Sequence, residues 1–246
     1  MMKPEIQSHL LNLNRQFYQG FAGSFSQSRH QAQPGVRQIA RQIGMHDAVL
    51  DLGCGNGTFA SALVAEGFRG SYHGGDSSPA LLAEAESRLS SQDAVEMNFF
   101  KLDLAHPGWD SLLEGKQYDW LVCFAVLHHL PGEDLRQKTV NTFPVLLKPG
   151  GCVAVSVWQW HNSSKLRERV LPWSEVAINP DDVDPGDVLL DWRAEDVTGL
   201  RYIHTFDEPS LASLAEQAGF NVIETFYSDG KSGDLALYQI WQLGSP

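Results

Sequence analysis

Three glycines and an aspartate stand close together in residues 49–57, where the chain reads VLDLGCGNG. Asp51 falls where an apolar run gives way to glycines, which is typical of a strand that ends at the ligand-binding edge of an α/β sheet. Gly53, Gly55 and Gly57 allow a positive φ and let a ligand approach closely, because no Cβ stands in the way. The backbone N–H groups of such a loop can bind an anionic group. We therefore expect a metabolite to lie over this turn.

The spacing of the glycines narrows the choice of ligand. A dinucleotide site would follow the pattern G-x-G-x-x-G, whereas this loop follows G-x-G-x-G and has Thr58 at the third position of the dinucleotide pattern. The loop also lacks the Lys-Ser/Thr pair of a triphosphate-binding loop. Asp51 could pair with an ammonium group, while the helix that should begin near Thr58 faces a carboxylate. A ligand with an amino-acid end meets both conditions.

Four further motifs follow the glycine loop in order: HGGDSS (73–78), FFKLDL (99–104), YDWLVCFAVLHHL (118–130) and LLKPGG (146–151). Together with the loop they resemble the class I methyltransferases that use S-adenosyl-L-methionine (SAM). The resemblance implies that Asp76 binds the ribose hydroxyls and that Asp103 meets the adenine amino group. Alone, each aspartate would more often be a turn former or a helix cap. The cofactor-binding residues that the resemblance implies are Asp51, Gly53, Cys54, Gly55, Gly57, Asp76, Ser77, Asp103, Leu104 and Ala125.

The flanking segments resemble, more narrowly, the tRNA methyltransferases that esterify carboxymethyl-uridine at the wobble position. The similar stretches are SQSRH before the first strand, the double histidine of FAVLHHL, the VLPW segment and RYIHTF at 201–206. This resemblance implies tRNA as the methyl acceptor and a small activating subunit as a partner. Two alternative interpretations are a small-molecule O- or N-methyltransferase and a SAM-binding regulator without turnover.

A carboxylate acceptor is already ionised at neutral pH, so it needs to be held rather than deprotonated. Arg29 and Arg201, which stand in the segments similar to the tRNA enzymes, could hold it as a bidentate clamp. Ion pairs with the acidic part of the chain are an equally good interpretation of both arginines. The side chains that could donate a further hydrogen bond are those of His128, His129 and His204.

Two aromatic residues and two adjacent histidines have a second interpretation each. Tyr18 and Phe21 could cover the cofactor as part of a lid, or they could belong to the core. His128 and His129 could suggest a metal, but adjacent side chains point in different directions and no third ligand has a fitting spacing. We therefore predict no metal site.

Composition limits the class of protein. The chain has 246 residues and a net charge of −12, which argues against a broad nucleic-acid surface. No run of eighteen apolar residues and no signal-peptide core are present, so we expect a cytoplasmic protein that does not span a membrane. Eight carboxylates between residues 175 and 196 face a single arginine, Arg193. This acidic stretch predicts a loop or a mobile excursion.

Alternating strand and helix signals predict an α/β protein with a Rossmann-like class I methyltransferase fold. We expect a seven-stranded, mostly parallel sheet with an antiparallel C-terminal strand pair and an insertion after strand five. The chain should form a single domain over residues 1–246, with an N-terminal helical arm (1–45) and an insertion or lid (159–205). The predicted strands are 48–52, 71–74, 98–102, 120–124, 152–158, 221–227 and 235–243. The predicted helices are 6–20, 36–43, 58–66, 79–89, 133–147 and 208–218.

Overall fold

A computed structural model describes residues 2–28, 31–90, 95–194 and 197–244, and for residues 21–28, 193–194 and 197–198 it describes the backbone alone. Within these residues no helix is both long and apolar enough to cross a membrane. The strands are β1 (Ala48–Leu52), β2 (Ser71–Asp76), β3 (Glu96–Lys101), β4 (Tyr118–Phe124), β5 (Leu147–Trp158), β6 (Val170–Leu171), β7 (Asp187–Ala194), β8 (Val197–His204), β9 (Phe220–Ser228) and β10 (Ala236–Leu243). The helices are α1 (Pro4–Ser28), α2 (Pro34–Ala40), α3 (Thr58–Ala65), α4 (Pro79–Leu89), α5 (Glu133–Asn141), α6 (Ser164–Arg167) and α7 (Glu208–Gln217).

Seven strands form the main sheet in the order β3-β2-β1-β4-β5-β10-β9. The first five are parallel to one another, and β10 runs antiparallel to both β5 and β9. The predicted α/β fold class, with its antiparallel C-terminal pair, is therefore confirmed.

Both faces of the sheet are covered, because neighbouring residues of one strand enter different cores. Leu121 and Val153 belong to one apolar cluster, whereas Val122 and Ala154 belong to a second cluster on the other face. All four side chains are fully buried. A parallel sheet buried on two faces reads as a continuous apolar run, which is why these strands could be recognised from sequence.

The C-terminal ends of two helices differ most from the predictions, and α2 spans Pro34–Ala40 instead of the predicted 36–43. Helix α1 continues to Ser28, although the serines and glycines after residue 20 read as a polar linker. These residue types lower helix propensity by only about 0.5–1 kcal/mol each, so they do not break a helix. Helix α5 ends at Asn141 instead of residue 147, and a separate 3₁₀ turn begins at Pro144, whose ring cannot continue an α-helix.

The prediction of a loop or a mobile excursion for the acidic stretch is wrong for residues 187–194, which form strand β7. Strands β6, β7 and β8 form a separate antiparallel sheet, and Asp187 lies buried on β7. Its carboxylate accepts hydrogen bonds from the hydroxyl of Tyr202 and from Nδ1 of His204, both at 2.7 Å. Partners on the neighbouring strand thus compensate the burial of an acidic group. A lid function for residues 159–205 stays a prediction.

Candidate functional site

A cavity of about 250 Å³ opens at the carboxyl ends of the parallel strands. The loops after β1, β2 and β3 and the first residues of the β4–α5 loop form one side of it, and helix α1, the end of β5 and the later residues of the β4–α5 loop form the other. We call these sides the cofactor wall and the acceptor wall. All of the predicted cofactor-binding residues except Gly57 line this cavity.

The glycine loop leaves open space on the cofactor wall. Gly53 and Gly55 have φ angles of +83° and +55°, which side chains rarely adopt. A Cβ on Gly55 would meet no atom within 4 Å, so it would extend into the cavity. A Cβ on Gly57 would lie 3.0 Å from Cβ of Ala85, so this glycine serves helix packing. The loop therefore provides a cradle that a ligand can fill.

Asp76 joins two loops of the cofactor wall. Its Oδ2 accepts a hydrogen bond from the backbone N–H of Gly55 at 2.9 Å, and its Oδ1 accepts one from the N–H of Ser78 at 2.8 Å. Burial raises the pKa of Asp76, and these backbone hydrogen bonds oppose the rise. The carboxylate is thus fixed at the end of β2, where it can accept further hydrogen bonds from the hydroxyls of a ribose.

Asp51 lies deeper in the cofactor wall and is only 2% exposed. The hydroxyl of Tyr72 donates a hydrogen bond to its Oδ2 at 2.5 Å. Burial raises the pKa of Asp51 to about 7, the charge of Asp76 adds to the rise, and the Tyr72 hydrogen bond opposes it. A cationic group in the cavity would favour the ionised carboxylate, so Asp51 is suited to a ligand that carries an ammonium or a sulfonium.

Asp103 and Ala125 complete the cofactor wall. Oδ2 of Asp103 accepts a hydrogen bond from Nη2 of Arg15 at 3.2 Å, and Oδ1 accepts one from the N–H of Ala105 at 3.0 Å. Ala125 has a φ of +57°, an uncommon conformation for alanine that places strained backbone at the end of β4. The Arg15 contact brings α1 across the rim of the cavity.

The acceptor wall contains a tyrosine–histidine pair. The hydroxyl of Tyr18 lies 2.6 Å from Nε2 of His129, and Nδ1 of His129 lies 3.2 Å from the carbonyl oxygen of Tyr202. One turn earlier on α1, the side chain of Asn14 donates hydrogen bonds to the carbonyl oxygens of His129 and Tyr202, both at 3.1 Å, and accepts one from the N–H of Tyr202 at 2.9 Å. Trp158 completes the wall.

Arg201 lies outside the cavity wall that the described residues form. Its side chain is 1% exposed, and its Cζ lies 4.5 Å from the ring centroid of Trp158, 4.7 Å from that of Phe17 and 4.9 Å from that of Trp192. These are cation–π contacts. A clamp formed by Arg201 stays a prediction, and the same prediction for Arg29 falls outside the described residues.

The other histidines predicted to donate hydrogen bonds also lie away from the cavity wall of the described part of the chain. His128 is fully buried, and its Nδ1 accepts a hydrogen bond from the N–H of Trp158 at 3.4 Å. His204 is held by Asp187 on β7. Their roles in acceptor binding stay predictions. Of the two aromatic residues considered for a lid, Tyr18 lines the cavity. The side chain of Phe21 is not among those that the structure describes.

Sequence reasoning missed most of the contribution of α1, because it considered only Tyr18 and Phe21 of this helix. Asn14, Arg15 and Tyr18 all contact the cavity or its supports. The spacing of Asn14 and Tyr18, four residues apart on one helix face, was the available signal. No cluster of three or more histidine, cysteine or acidic side chains that could hold a metal occurs within the described ranges.

Comparisons with known proteins agree with this geometry. Residues 24–225 match the family model described as a methyltransferase domain. The chain is 24% identical to the tRNA (carboxymethyluridine(34)-5-O)-methyltransferase of Schizosaccharomyces pombe over 221 residues, which cover 86% of this chain and 90% of that protein. The enzyme of the same name from Arabidopsis thaliana is 27% identical over 158 residues, 63% of this chain but only 34% of the plant protein.

Solved structures show the same fold. An S-adenosylmethionine-dependent methyltransferase from Clostridium acetobutylicum superposes with a TM-score of 0.65 at 14% identity and covers 93% of this chain and 100% of that one. The 1,6-didemethyltoxoflavin-N1-methyltransferase of Burkholderia thailandensis, solved with S-adenosylhomocysteine, gives a TM-score of 0.64 at 19% identity over 100% of this chain and 92% of the other. The chain belongs to the methyltransferase domain family, and the glycine cradle, Asp51 and Asp76 fit S-adenosylmethionine as its cofactor.

Proposed function

We propose that this protein uses SAM to methylate the carboxylate of a carboxymethylated uridine in tRNA, which gives a methyl ester. The extent of the similarity to the Schizosaccharomyces pombe enzyme carries the proposal, because the match extends over 90% of that protein. A match of this length covers most of the chain and not the glycine loop alone. A small activating subunit, which the resemblance implies, stays a prediction.

The cofactor wall provides the groups that the proposed reaction needs on the donor side. Asp76 would bind the ribose of SAM, and Asp51 would offset its positive charge. SAM would supply a methyl group on a cationic sulfur: a carboxylate oxygen of the acceptor would bond to the methyl carbon as the carbon–sulfur bond breaks, with neutral S-adenosylhomocysteine as the leaving group and no proton lost. The chain therefore mainly aligns the two reactants, an effect that can lower a barrier by roughly 7–11 kcal/mol.

On the acceptor side, Trp158 lines the cavity at the end of β5, where its aromatic ring atoms can contact a planar base. The cation of Arg201 lies 4.5 Å from the ring centroid of the same indole. A buried cation near the wall favours an anionic acceptor over a neutral one, because interactions between charges are stronger where water is excluded. A carboxylate on a pyrimidine ring meets both features.

The test uses two synthetic anticodon stem–loop RNAs that differ in one group, a 5-carboxymethyluridine or its amide at the wobble position. Incubation with deuterated SAM should add one labelled methyl group to the carboxylate RNA, and mild alkali should remove it again, as expected of an ester. Asp76→Ala should weaken SAM binding by roughly 1–3 kcal/mol through the loss of hydrogen bonds. Asp181→Ala is the matched control, because Asp181 is exposed and does not line the cavity. This variant should bind SAM as the wild type does.

An alkali-stable methyl group, or equal labelling of the acid and the amide, would contradict esterification. A small-molecule acceptor is the second candidate, and the net charge of −12 favours it, since this charge repels phosphate groups. Methylation of compounds in a metabolite extract, with neither RNA labelled, would select that candidate.

A further inference from the structure

The Tyr18–His129 pair on the acceptor wall has a defined proton arrangement. A carbonyl oxygen can only accept a hydrogen bond, so the contact of 3.2 Å to Tyr202 places a proton on Nδ1 of His129. In the neutral imidazole Nε2 is then a bare acceptor, and the hydroxyl of Tyr18 must donate its proton to it across 2.6 Å. In this state the oxygen of Tyr18 can only accept hydrogen bonds from a molecule in the cavity.

Protonation of His129 reverses this arrangement. An imidazolium donates from both nitrogens, so Nε2–H would donate to the oxygen of Tyr18 and the hydroxyl of Tyr18 would turn its own proton toward the cavity. The neutral pair thus suits an acceptor that carries a proton, such as a hydroxyl or an amine. The protonated pair suits a carboxylate, which offers only lone pairs.

The surroundings hold the pair in place in either state. Asn14 ties the backbone of His129 to Tyr202 and to α1, which also carries Tyr18 one turn later. The titratable and charged groups around the imidazole include Tyr18 from α1 and His128 from the same loop, whose ring centroid lies 4.2 Å away. Arg201 from β8 lies beyond Trp158, whose ring contacts both the imidazole and the guanidinium of Arg201. The rings of Tyr18 and His129 also meet edge to face, at 5.3 Å.

We propose that the hydroxyl of Tyr18 binds the acceptor, and that the protonation state of His129 decides whether this hydroxyl donates or accepts the hydrogen bond. A carboxylate therefore binds together with one proton taken up from solvent. This inference rests on the function proposed above and names the groups that recognise the substrate. The proton enters with the acceptor, stays on the pair during methyl transfer, and leaves with the neutral ester. Tyr18 touches the substrate, and His129 is a positioning residue that acts through it.

Calorimetry tests the proton uptake without turnover. The carboxylate and amide stem–loops are titrated into the protein saturated with S-adenosylhomocysteine, in buffers of different ionisation enthalpy, across about pH 5–8, the range in which histidine side chains titrate. The wild type should take up close to one proton per carboxylate RNA above the titration of His129, and none with the amide. Tyr18→Phe should bind the carboxylate RNA at least tenfold more weakly, with little proton uptake, while its affinity for SAM is unchanged.

Tyr227→Phe is the matched control, because Tyr227 is 43% exposed on the edge strand β9. This variant should keep the wild-type affinity and proton uptake. Unchanged proton uptake in Tyr18→Phe, or an unchanged preference for acid over amide, would overturn the proposed role of the pair. If Tyr18→Phe still methylates the carboxylate RNA as the wild type does, the role of the pair fails and the proposed function stands.

Nitrogen NMR of the ligand-free protein tests the pair without any acceptor. At a pH where His129 is neutral, the proton should lie on Nδ1, and Tyr18→Phe should shift the resonance of Nε2 toward that of an imidazole nitrogen without a hydrogen-bond donor. A proton found on Nε2 would overturn the inference. If neither RNA is methylated or bound, the proposed function fails, and the assignment of a carboxylate acceptor fails with it. The NMR result still decides whether Tyr18 or His129 donates the hydrogen bond between them.

Discussion

The two walls of the cavity are built in different ways. On the cofactor wall, the hydrogen bond from Gly55 to Asp76 joins residues only 21 positions apart, and most contacts involve backbone atoms. On the acceptor wall, Tyr18 and His129 are 111 positions apart, and Asn14 and Tyr202 are 188 apart. The first wall depends on the conformation of short loops, whereas the second depends on the docking of α1 against β8. Substitutions on the two walls should therefore have different consequences.

The largest effect should come from the glycine cradle. Gly55→Val would require an unfavourable φ of about +55° and would place a branched side chain in the space for the ligand. We expect SAM affinity to fall by at least a factor of a thousand, about 4 kcal/mol, in a protein that still folds. Calorimetry measures the affinity, and circular dichroism checks the fold.

Gly115→Val is the control for the glycine cradle. Gly115 has a φ of +76° and a Cβ there would also meet no atom within 4 Å, but the residue lies away from the cavity. This variant should show similar backbone strain and retain SAM binding. Equal loss of SAM binding in both variants would mean that strain alone, and not the occupied space, explains the effect of Gly55→Val.

A smaller effect is expected from the polar contact that holds the acceptor wall. Asn14→Leu removes three hydrogen bonds, including the one that the buried N–H of Tyr202 donates to Asn14, although the carbonyl oxygen of Tyr202 keeps its contact with Nδ1 of His129. We expect the free energy of unfolding to fall by about 3 kcal/mol. Methyl transfer to the acceptor should be lost to a greater extent than SAM affinity, as measured by single-turnover rates and by calorimetry. An equal loss of methyl transfer and of SAM affinity would mean that the two walls do not act independently.

The buried carboxylate of the cofactor wall should respond to pH. The pKa of Asp51 is about 7 in the folded chain against an ordinary value of 3.8, so between these values the folded state binds a proton that the unfolded state has released. The contribution of Asp51 to the free energy of unfolding therefore falls as pH rises from about 4 to about 7. Asp51→Asn should stabilise the ligand-free protein at pH 8 by up to about 4 kcal/mol and have little effect at pH 4.

Denaturant unfolding at the two pH values measures this difference. The same variant should bind SAM more weakly at pH 8, because the carboxylate that offsets the cationic sulfur is gone. A variant that is stabilised equally at both pH values would contradict the raised pKa of Asp51.

The smallest effect is expected where the walls meet at the rim. Arg15 and Asp103 are 49% and 34% exposed in their side chains, so their ion pair is screened by water. Arg15→Ala should change the free energy of unfolding by less than about 0.5 kcal/mol, and SAM affinity should change by a small factor at low salt only. A tenfold change in SAM affinity that persists at high salt would mean that Arg15 contacts the cofactor directly.

The sequence allowed much of the fold to be predicted, because its signals are local. Strand β1 and helix α4 have the predicted boundaries, since an apolar run leads into the glycines and Ser78 caps the helix at Pro79. The hydroxyl of Ser78 accepts the hydrogen bond from the N–H of Leu81 at 3.4 Å, as a helix cap should. The cofactor wall could be located for the same reason.

The acceptor wall could not be assembled from the sequence. Arg201 stands in a recognisable RYIHTF segment, yet its surroundings are Phe17 and Trp158, from distant parts of the chain, and Trp192 on the neighbouring strand β7. Likewise, the carboxylates near Asp187 indicated a loop, because the partners that make their burial favourable lie on another strand. Pairings of this kind are set by tertiary packing, on which local patterns give no information.

The docking of α1 against β8 also has a consequence for the order in which the protein forms during synthesis. Tyr202 is made 188 residues after Asn14, which at about 5–20 residues per second is an interval of roughly 10–40 s. Until β8 has been made, Leu10 and Phe17, which are buried in the folded protein, lack part of the surface that covers them. Helix α1 therefore completes the acceptor wall only after β8 has been synthesised.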